Sequence, residues 1–160
     1  MFDITLITMG KLKVKLYLSA AEEYLKRLKG YCNFHLVELP EHRLPEDPSP
    51  AEIAAGLDKE AELIFQKIPK GAWLCIFTQE GKTLSSEQFA AKLKEIKLSG
   101  KGSACFLIGS SFGISPKVKE KADFKLSMGP MTFPHHLARI MVLEQIYRAE
   151  AIQAGSKYHK

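Results

Sequence analysis

The C-terminal end of the chain carries residue types that can hold a nucleic acid and move a proton. The sequence finishes on Lys157, Tyr158, His159 and Lys160. Lysine can contact a phosphate, tyrosine can stack on a base, and histidine titrates close to neutral pH. Because terminal residues are often poorly ordered, a solvated tail is the alternative that these residue types leave open.

A second group of candidate residues follows three of the apolar runs. The segments are TQEGKT (78–83), GSSFGIS (109–115) and MGPMTFPHH (128–136). If these runs are parallel strands, their carboxyl ends meet at one edge of the sheet, where ligands collect in open α/β folds. The glycines in these segments allow close approach to a ligand, although any one of them can equally make an ordinary turn.

The third of these segments is unusually stiff. Pro130 and Pro134 fix their own φ angles and remove two N–H groups. A stiff loop favours a preformed pocket wall, in which the backbone groups of Met131, Thr132 and Phe133 could hydrogen-bond an adenine edge. A buried structural turn, with Met131 and Phe133 filling the core, explains the pattern equally well.

The start of the last helical pattern offers a cation but no metal site. Arg139 lies one turn into this helix and could meet a phosphate or an acidic partner, with a surface ion pair as the alternative. The adjacent His135 and His136 point about 100° apart on a helix and so share a metal ion poorly. No His-x-x-x-His or Cys-x-x-Cys spacing occurs, and we predict no metal.

The segment Gly109–Gly113 matches the G-x-S-x-G motif of serine hydrolases, with Ser111 as the nucleophile. Asp123 and a later histidine follow in the required order. The motif should lead straight into a helix, however, and the helix-start signal Ser115-Pro116 comes later. We therefore keep a serine hydrolase as the weaker alternative.

Five short apolar runs, each followed by a helical pattern, must position these residues. They predict a single domain (1–160) with an open, mostly parallel α/β sheet and helices on both faces. Ser49 and Ser85 are predicted to cap two of the helices. Strands are predicted at residues 4–8, 33–39, 72–78, 104–109 and 123–128.

The last helix, from His135 to about Ala154, is apolar on more than one side. A helix of this kind is buried on more than one side, and in a small domain the second surface favours a symmetric homodimer. The residues are Leu137, Ile140, Met141, Val142, Leu143, Ile146, Tyr147 and Ile152.

Composition indicates an ordinary globular protein with a basic balance. Apolar residues make up 46% and charged residues 26%, and the net charge is +5. This charge favours a polyanionic partner, with nucleic acid the preferred polyanion. Three isolated cysteines, no signal-peptide pattern and no membrane-length apolar run predict a reduced, cytoplasmic protein without membrane contact.

Three stretches resemble one known family over essentially the whole chain. They are ITLITMGKLK (4–13), LIGSSFGIS (107–115) and MTFPHHLARIMVLEQIYRAEAIQAGSKYHK (131–160). The resemblance is to the ribosomal large subunit methyltransferase H family, a single-domain branch of the SPOUT methyltransferases. It implies a C-terminal trefoil knot, S-adenosylmethionine as the methyl donor, and a homodimer. It also implies methylation of N3 of a pseudouridine in an intersubunit stem-loop of 23S rRNA, on the assembled ribosome and not on DNA.

The resemblance also implies roles for residues at matching positions. Many members have two glycines where this chain has Gly109 and Ser110, and some relatives end in arginine where it has Lys160. The implied donor-binding residues are Phe77, Gly109, Ser110, Gly129, Pro130, Met131, Thr132, Phe133 and Pro134. The implied catalytic residues are His159, Tyr158, Lys160 and Arg139.

By residue type, His159 is the best candidate for the base that removes the N3 proton, while Lys160 or Arg139 could stabilise the developing charge. Tyr158 could stack on the base or the donor. A role for His159 in orienting RNA alone stays open, as does a nucleotide- or RNA-binding α/β module without catalysis.

Overall fold

The computed structural model describes residues 1–160 as five strands and five helices that alternate along the chain. The strands are β1 (Asp3–Met9), β2 (Asn33–Leu39), β3 (Trp73–Thr83), β4 (Ser103–Ile108) and β5 (Phe124–Ser127). The helices are α1 (Lys15–Leu28), α2 (Pro50–Lys67), α3 (Ser86–Leu98), α4 (Pro116–Lys121) and α5 (His135–Gln153). The strands form one parallel sheet in the order β2-β1-β4-β3-β5. The predicted parallel α/β class is confirmed.

Helices cover both faces of the sheet, as predicted. Successive residues of a strand point to opposite faces, so Phe106 and Leu107 of β4 belong to two different hydrophobic clusters. The cluster around Phe106 includes buried residues of α1, α3 and α5. The cluster around Leu107 includes Ile64 of α2 and Val118 of α4. A sheet buried on both sides explains the nearly continuous apolar runs of its central strands.

Both predicted helix caps are present. The Ser49 hydroxyl accepts a hydrogen bond from the Glu52 amide at 3.2 Å, and the Glu52 carboxylate accepts one from the Ser49 amide. Ser85 and Gln88 form the same reciprocal pair at the start of α3. Each pair satisfies two backbone donors that the first helical turn leaves free.

Strand β3 is longer than the sequence predicts. Its apolar run ends at Thr78, but the strand continues to Thr83 with a register shift against β5 between Phe77 and Lys82. Gly81 allows this continuation, because a Cβ atom there would lie 2.7 Å from backbone carbons of β5. The expectation of a plain loop after Thr78 is therefore wrong: the polar residues form an irregular strand extension that packs against β5.

Helix α5 packs against both α1 and α3. Its residues Val142, Leu143 and Ile146 are buried, whereas Ile140 and Met141 are only half-buried. Part of the two-sided burial predicted for this helix is therefore provided within the chain. None of the helices is both long enough and apolar enough to cross a membrane.

Candidate active site

A cleft of about 620 Å³ lies at the carboxyl ends of the central strands. Its volume falls within the range of small-molecule sites, roughly 300–1,000 Å³. Of the nine residues implied to bind a methyl donor, Pro130 alone does not line it. The eight that do are Phe77, Gly109, Ser110, Gly129, Met131, Thr132, Phe133 and Pro134. The fold thus brings together residues as far apart in sequence as Phe77 and Gly129, which are separated by 52 positions. The role of these residues in donor binding stays a prediction.

One wall is the loop of residues 109–114, which follows β4. The Gly113 amide donates a hydrogen bond to the Ser110 carbonyl at 2.9 Å and closes a tight turn. A Cβ atom on Gly109 would lie 2.5 Å from the Gly113 carbonyl oxygen and from the Ile114 side chain. Gly113 has a φ of +96°, which side chains rarely adopt. Glycine is therefore required at both positions for this wall to keep its shape.

The opposite wall is the segment of residues 128–134, between β5 and α5. Gly129 has a φ of +111°, and its amide donates a hydrogen bond to the Ser127 hydroxyl at 3.1 Å. The backbone amides of Met131, Thr132 and Phe133 make no hydrogen bond within the chain. The wall therefore offers unpaired backbone donors beside apolar side chains, which suits a ligand with a flat heteroaromatic edge.

Side chains from the β3 extension also reach this cleft. Gln79 donates a hydrogen bond to the Thr132 hydroxyl at 3.0 Å and so links the extension to the 128–134 segment. Lys119 of α4 pairs with Glu80 at 2.6 Å, and its hydrogen bond lowers the pKa of Glu80 to about 2. A fixed pair of opposite charges therefore lies at the cleft. Sequence reasoning included Glu80 in the 78–83 segment but missed Lys119 and its pairing with Glu80, because the two positions are 39 apart in sequence.

The C-terminal tail lies elsewhere, packed against α5 and α3 of its own chain. Arg148 donates to Nδ1 of His159 at 3.1 Å, and Nε2 of His159 lies 2.7 Å from the Glu87 carboxylate. Since arginine has no acceptor, Nδ1 must accept and Nε2 must carry the proton. Neither nitrogen is free to take a proton from a substrate in this arrangement. Tyr158, His159 and Lys160 do not line the cleft.

Tyr158 is held by the same part of α5. Its hydroxyl donates a hydrogen bond to Glu144 at 3.0 Å, and its ring packs edge-on against Tyr147 with centroids 4.7 Å apart. Burial, with the hydrogen bond to Glu144 as a smaller cause, raises the pKa of Tyr158 to about 12. The tail is thus a docked segment of this structure, and the solvated-tail alternative does not describe it.

Arg139 is buried in the interior, with 1% of its surface exposed. It pairs with Glu38 and donates to the carbonyl oxygens of Met9 and Gly10, and burial lowers its pKa. The surface ion pair that was the alternative for Arg139 is therefore wrong, because the pair is internal. The neighbouring residue Ala138 lines the cleft, but Arg139 does not. Contact with a substrate stays a prediction.

A second, more apolar cleft of about 670 Å³ adjoins the first. It lies between α3 and α5, and four residues line both clefts: Phe77, Ser127, Met128 and Gly129. Half-buried Ile140 and Met141 line it together with Glu144. The tail therefore docks beside this second cleft, through Glu144.

The hydrolase motif is not built as a nucleophile elbow. Helix α4 begins at Pro116, after the turn, and the Ser111 hydroxyl donates to Glu41 at 3.2 Å. No histidine hydrogen-bonds Ser111, so no base is in place to activate it. No group of three or more His, Cys, Asp or Glu side chains is arranged to hold a metal ion.

Residues 2–159 match the family model described as "Predicted SPOUT methyltransferase". Proteins named ribosomal RNA large subunit methyltransferase H are similar over the full chain. The one from Carboxydothermus hydrogenoformans is 44% identical over 158 residues, which are 99% of each chain. The one from Streptococcus thermophilus is 45% identical over 157 residues, 98% of this chain and 99% of the relative.

Two solved structures share the fold at low sequence identity. A tRNA (m1G37) methyltransferase from Aquifex aeolicus has a TM-score of 0.53 and 15% identity, covering 91% of this chain and 69% of that one. A structure described as giving insights into 2-OH methylation of C/U34 on tRNA has a TM-score of 0.51 and 18% identity. It covers 96% of this chain and 98% of that one. At such identities the likeness concerns the fold alone.

Proposed function

The chain belongs to the SPOUT methyltransferases, in the ribosomal RNA large subunit methyltransferase H family, and from that membership it is a methyltransferase of ribosomal RNA. We propose that it transfers a methyl group from S-adenosylmethionine to N3 of a pseudouridine in an intersubunit stem-loop of 23S rRNA, on the assembled ribosome. What supports the proposal is one observation: eight of the nine residues implied to hold the donor line a single cleft.

The cleft fits the proposed donor on its own chemistry. Phe77, Met128 and Phe133 supply apolar surface for a purine, and the free amides of the 128–134 segment supply donors for its edge. The zwitterionic amino-acid end needs charges of both signs, and the Lys119–Glu80 pair carries both. When bound, S-adenosylmethionine supplies an electrophilic methyl group on a sulfonium; the chain's part is to hold it in line with the attacking nitrogen.

N3 of pseudouridine carries a proton and has no usable lone pair, so a base must remove that proton before or during attack. His159 is the proposed base, with Lys160 or Arg139 stabilising the charge that develops on the neighbouring carbonyl oxygens. In one chain His159 is engaged by Arg148 and Glu87, away from the cleft. The proposed role therefore requires either that the tail leaves this position or that it serves the cleft of a second subunit.

A homodimer would meet that requirement. Half-buried Ile140 and Met141 belong to α5, which packs against α1 on the same side of the sheet. Leu16 of α1 is 74% exposed, and Val14, directly before this helix, is 53% exposed. An apolar surface of this kind on two packed helices suits a second copy of the chain. Light scattering that gives the mass of a monomer at micromolar concentration would exclude this part of the proposal.

The fold is proposed to contain a C-terminal trefoil knot. The 109–114 loop and the 128–134 segment, which flank the cleft, are where such a knot would form. Pulling the two ends apart in an optical trap tests this, because a knotted chain stops short of the contour length of 160 residues. Full extension would contradict the knot.

A methyl-transfer assay tests the activity. Ribosomes from cells that lack the modification, tritiated S-adenosylmethionine and the protein should yield labelled 23S rRNA, with N3-methylpseudouridine identified by mass spectrometry. Assembled ribosomes, isolated large subunits and naked 23S rRNA should be compared, with transfer expected on assembled ribosomes. Since that substrate is cytoplasmic, the proposal also places the protein there.

Two further measurements, a thermal shift and fluorophosphonate labelling, separate the alternatives from a methyltransferase. A binding module would show a thermal shift with S-adenosylmethionine but no transfer to any ribosomal particle. A serine hydrolase would be labelled by a fluorophosphonate at Ser111, and labelling should vanish in Ser111→Ala. Transfer to another nucleotide would retain the methyltransferase and reject the pseudouridine.

A further inference from the structure

Helix α2 carries a buried carboxylate that no cation neutralises. Glu60 is 4% exposed and takes part in none of the ion pairs of the structure. Its Oε1 accepts a hydrogen bond from the Ser110 hydroxyl at 2.7 Å, and its Oε2 accepts one from the His42 amide at 3.0 Å. Burying a carboxylate is costly unless it is well hydrogen-bonded, so the site depends on these two partners.

A second carboxylate joins the same two parts of the chain. Glu41 accepts hydrogen bonds from the Ser111 amide at 2.9 Å and from its hydroxyl at 3.2 Å. Glu41 and His42 lie between β2 and α2, whereas Ser110 and Ser111 lie in the 109–114 loop. The segment after β2 and the loop after β4 are therefore linked at two consecutive residues on each side.

The segment after β2 is itself firmly seated on α2. A Cβ atom on Gly56, one turn before Glu60, would lie 3.1 Å from side-chain carbons of His42 and Leu44. The absence of a side chain at Gly56 lets this segment lie directly on the helix. This packing keeps His42 close to α2, where its amide donates to the Glu60 carboxylate. Glu60 is thereby held in a position from which it can bind the Ser110 hydroxyl.

The loop that Glu60 holds is a wall of the donor cleft. Ser110 lines that cleft and also a smaller cavity of about 240 Å³ that contains Glu60 and Glu41. The Ser110 carbonyl accepts the hydrogen bond that closes the loop, while its hydroxyl reaches Glu60 on the other side. A displacement of Glu60 therefore moves the loop that faces the donor.

We propose that Glu60 is a positioning residue for the methyl donor, acting through the Ser110 hydroxyl to hold the 109–114 loop in its binding shape. The inference rests on the proposed function in one respect, that the donor occupies this cleft. Glu60 touches neither the donor cleft nor the substrate, so its loss should weaken donor binding and leave the chemical step unchanged at saturating donor.

The test compares Glu60→Gln and Ser110→Ala with Glu62→Gln, a control on the exposed side of the same helix. A glutamine at position 60 can accept from the His42 N–H with its amide oxygen and turn its NH2 group to the Ser110 hydroxyl. The hydrogen bond from Ser110 to a charged acceptor is then replaced by a weaker one between neutral groups. Isothermal titration should show about tenfold weaker S-adenosylmethionine binding for either variant, the effect of one hydrogen bond to a charged group. The double variant should bind S-adenosylmethionine no more weakly than the single variant that has the lower affinity, because both substitutions act on the same link.

Two further readouts separate positioning from general damage. In methyl transfer to ribosomes, Glu60→Gln should raise KM for the donor about tenfold with kcat within about twofold. Hydrogen exchange without donor should be faster in the 109–114 loop of Glu60→Gln than in Glu62→Gln, with α2 and the sheet unchanged. Unchanged exchange in this loop would overturn the link itself.

The donor-free readout keeps the two proposals distinct. If the unmodified protein binds no S-adenosylmethionine, the proposed function fails, and a donor-positioning role for Glu60 fails with it even if the loop exchanges faster. If the unmodified protein binds the donor and Glu60→Gln binds it equally well, the positioning role alone is overturned.

Discussion

Arg139 of α5 and Glu38 of β2, 101 residues apart in sequence, form an ion pair with a nitrogen–oxygen distance of 2.6 Å. The second terminal nitrogen of Arg139 donates to the Gly10 carbonyl oxygen at 2.8 Å, and Glu38 also accepts from the Leu12 amide. These contacts join the carboxyl ends of β1 and β2 to the first turns of α5. They therefore fix the helix that follows directly on the 128–134 segment of the cleft.

Replacing Arg139 should destabilise the whole domain. Arg139→Met leaves the Glu38 carboxylate and two carbonyl oxygens without their partner, and breaking a buried pair in this way costs about 3–5 kcal/mol. Because Glu38 keeps 29% of its surface exposed, we expect about 3 kcal/mol in urea unfolding. Lys117→Met, which breaks the exposed pair with Asp58, should cost at most about 1 kcal/mol. Equal losses in the two variants would contradict an internal role for Arg139.

A side chain at Gly109 should distort the cleft, whereas one at Gly102 should not. The Gly109→Ala methyl group would lie 2.5 Å from the Gly113 carbonyl oxygen and from a side-chain carbon of Ile114, and overpacking of this kind costs about 1–3 kcal/mol. A Cβ atom at Gly102 meets nothing within 4 Å, so Gly102→Ala should change the free energy of unfolding by less than about 0.5 kcal/mol. Thermal unfolding with and without S-adenosylmethionine measures both effects. Normal donor stabilisation of Gly109→Ala would remove the 109–114 loop from the donor site.

The sequence predicted the sheet well because strands leave a local signal. Each of the five apolar runs is a strand, and the reciprocal caps at Ser49 and Ser85 follow from residues three apart. The end of β3 was missed because its last residues are polar, and their pairing depends on Gly81 approaching the distant β5 backbone.

The cleft could be predicted only in part from local patterns. Its glycines and prolines stand in recognisable loops, but Glu60 looks like any surface glutamate of a helix until Ser110 is placed 2.7 Å away. Arg139 likewise looked available for a phosphate, although its partner Glu38 is brought to it only by the parallel pairing of β1 and β2. Contacts between residues so far apart in the chain produce no periodic pattern in the amino-acid sequence.

The three cysteines should be unreactive in the folded protein. Burial raises the pKa of Cys32 and of Cys105 to about 12, and raises the pKa of Cys75 as well. Since the thiolate is the reactive form, a thiol reagent at pH 8 should label none of them in buffer and all three in denaturant. Rapid labelling of one thiol in the native protein would show that its part of the core opens readily.

The Tyr158–Glu144 hydrogen bond should make stability depend on alkaline pH. The folded-state pKa of Tyr158, about 12, lies above the value of 10 for an unburied tyrosine. Its contribution is therefore complete below pH 10 and is lost as the pH rises through 12. Urea unfolding at pH 9 and pH 11 should show a larger loss for the unmodified protein than for Tyr158→Phe. The comparison isolates Tyr158, because the lysines titrate in both proteins. Equal losses of unfolding free energy in the two proteins would contradict the hydrogen bond between Tyr158 and Glu144.

The proposed chemistry of the tail can be tested without disturbing the fold. His159→Ala should abolish methyl transfer while ribosome binding is retained, since the imidazole packs at the surface between Arg148 and Glu87. Removal of Lys160 should lower the rate of methyl transfer while the melting temperature changes little. Loss of ribosome binding alone in His159→Ala would leave His159 an RNA-orienting residue, and a full rate without Lys160 would exclude that residue from the site.

Mixing two inactive variants identifies the cleft that each tail serves. His159→Ala has a sound cleft and no base, whereas Gly109→Val has a damaged cleft and a sound tail. If each tail serves the partner's cleft, a refolded equal mixture contains heterodimers with one complete site and should regain about one quarter of the normal rate. If the tail serves its own cleft, both halves of every heterodimer stay defective and the mixture stays inactive. Because His159 in this structure is bound away from its own cleft, by Arg148 and Glu87, we expect the rate to be regained.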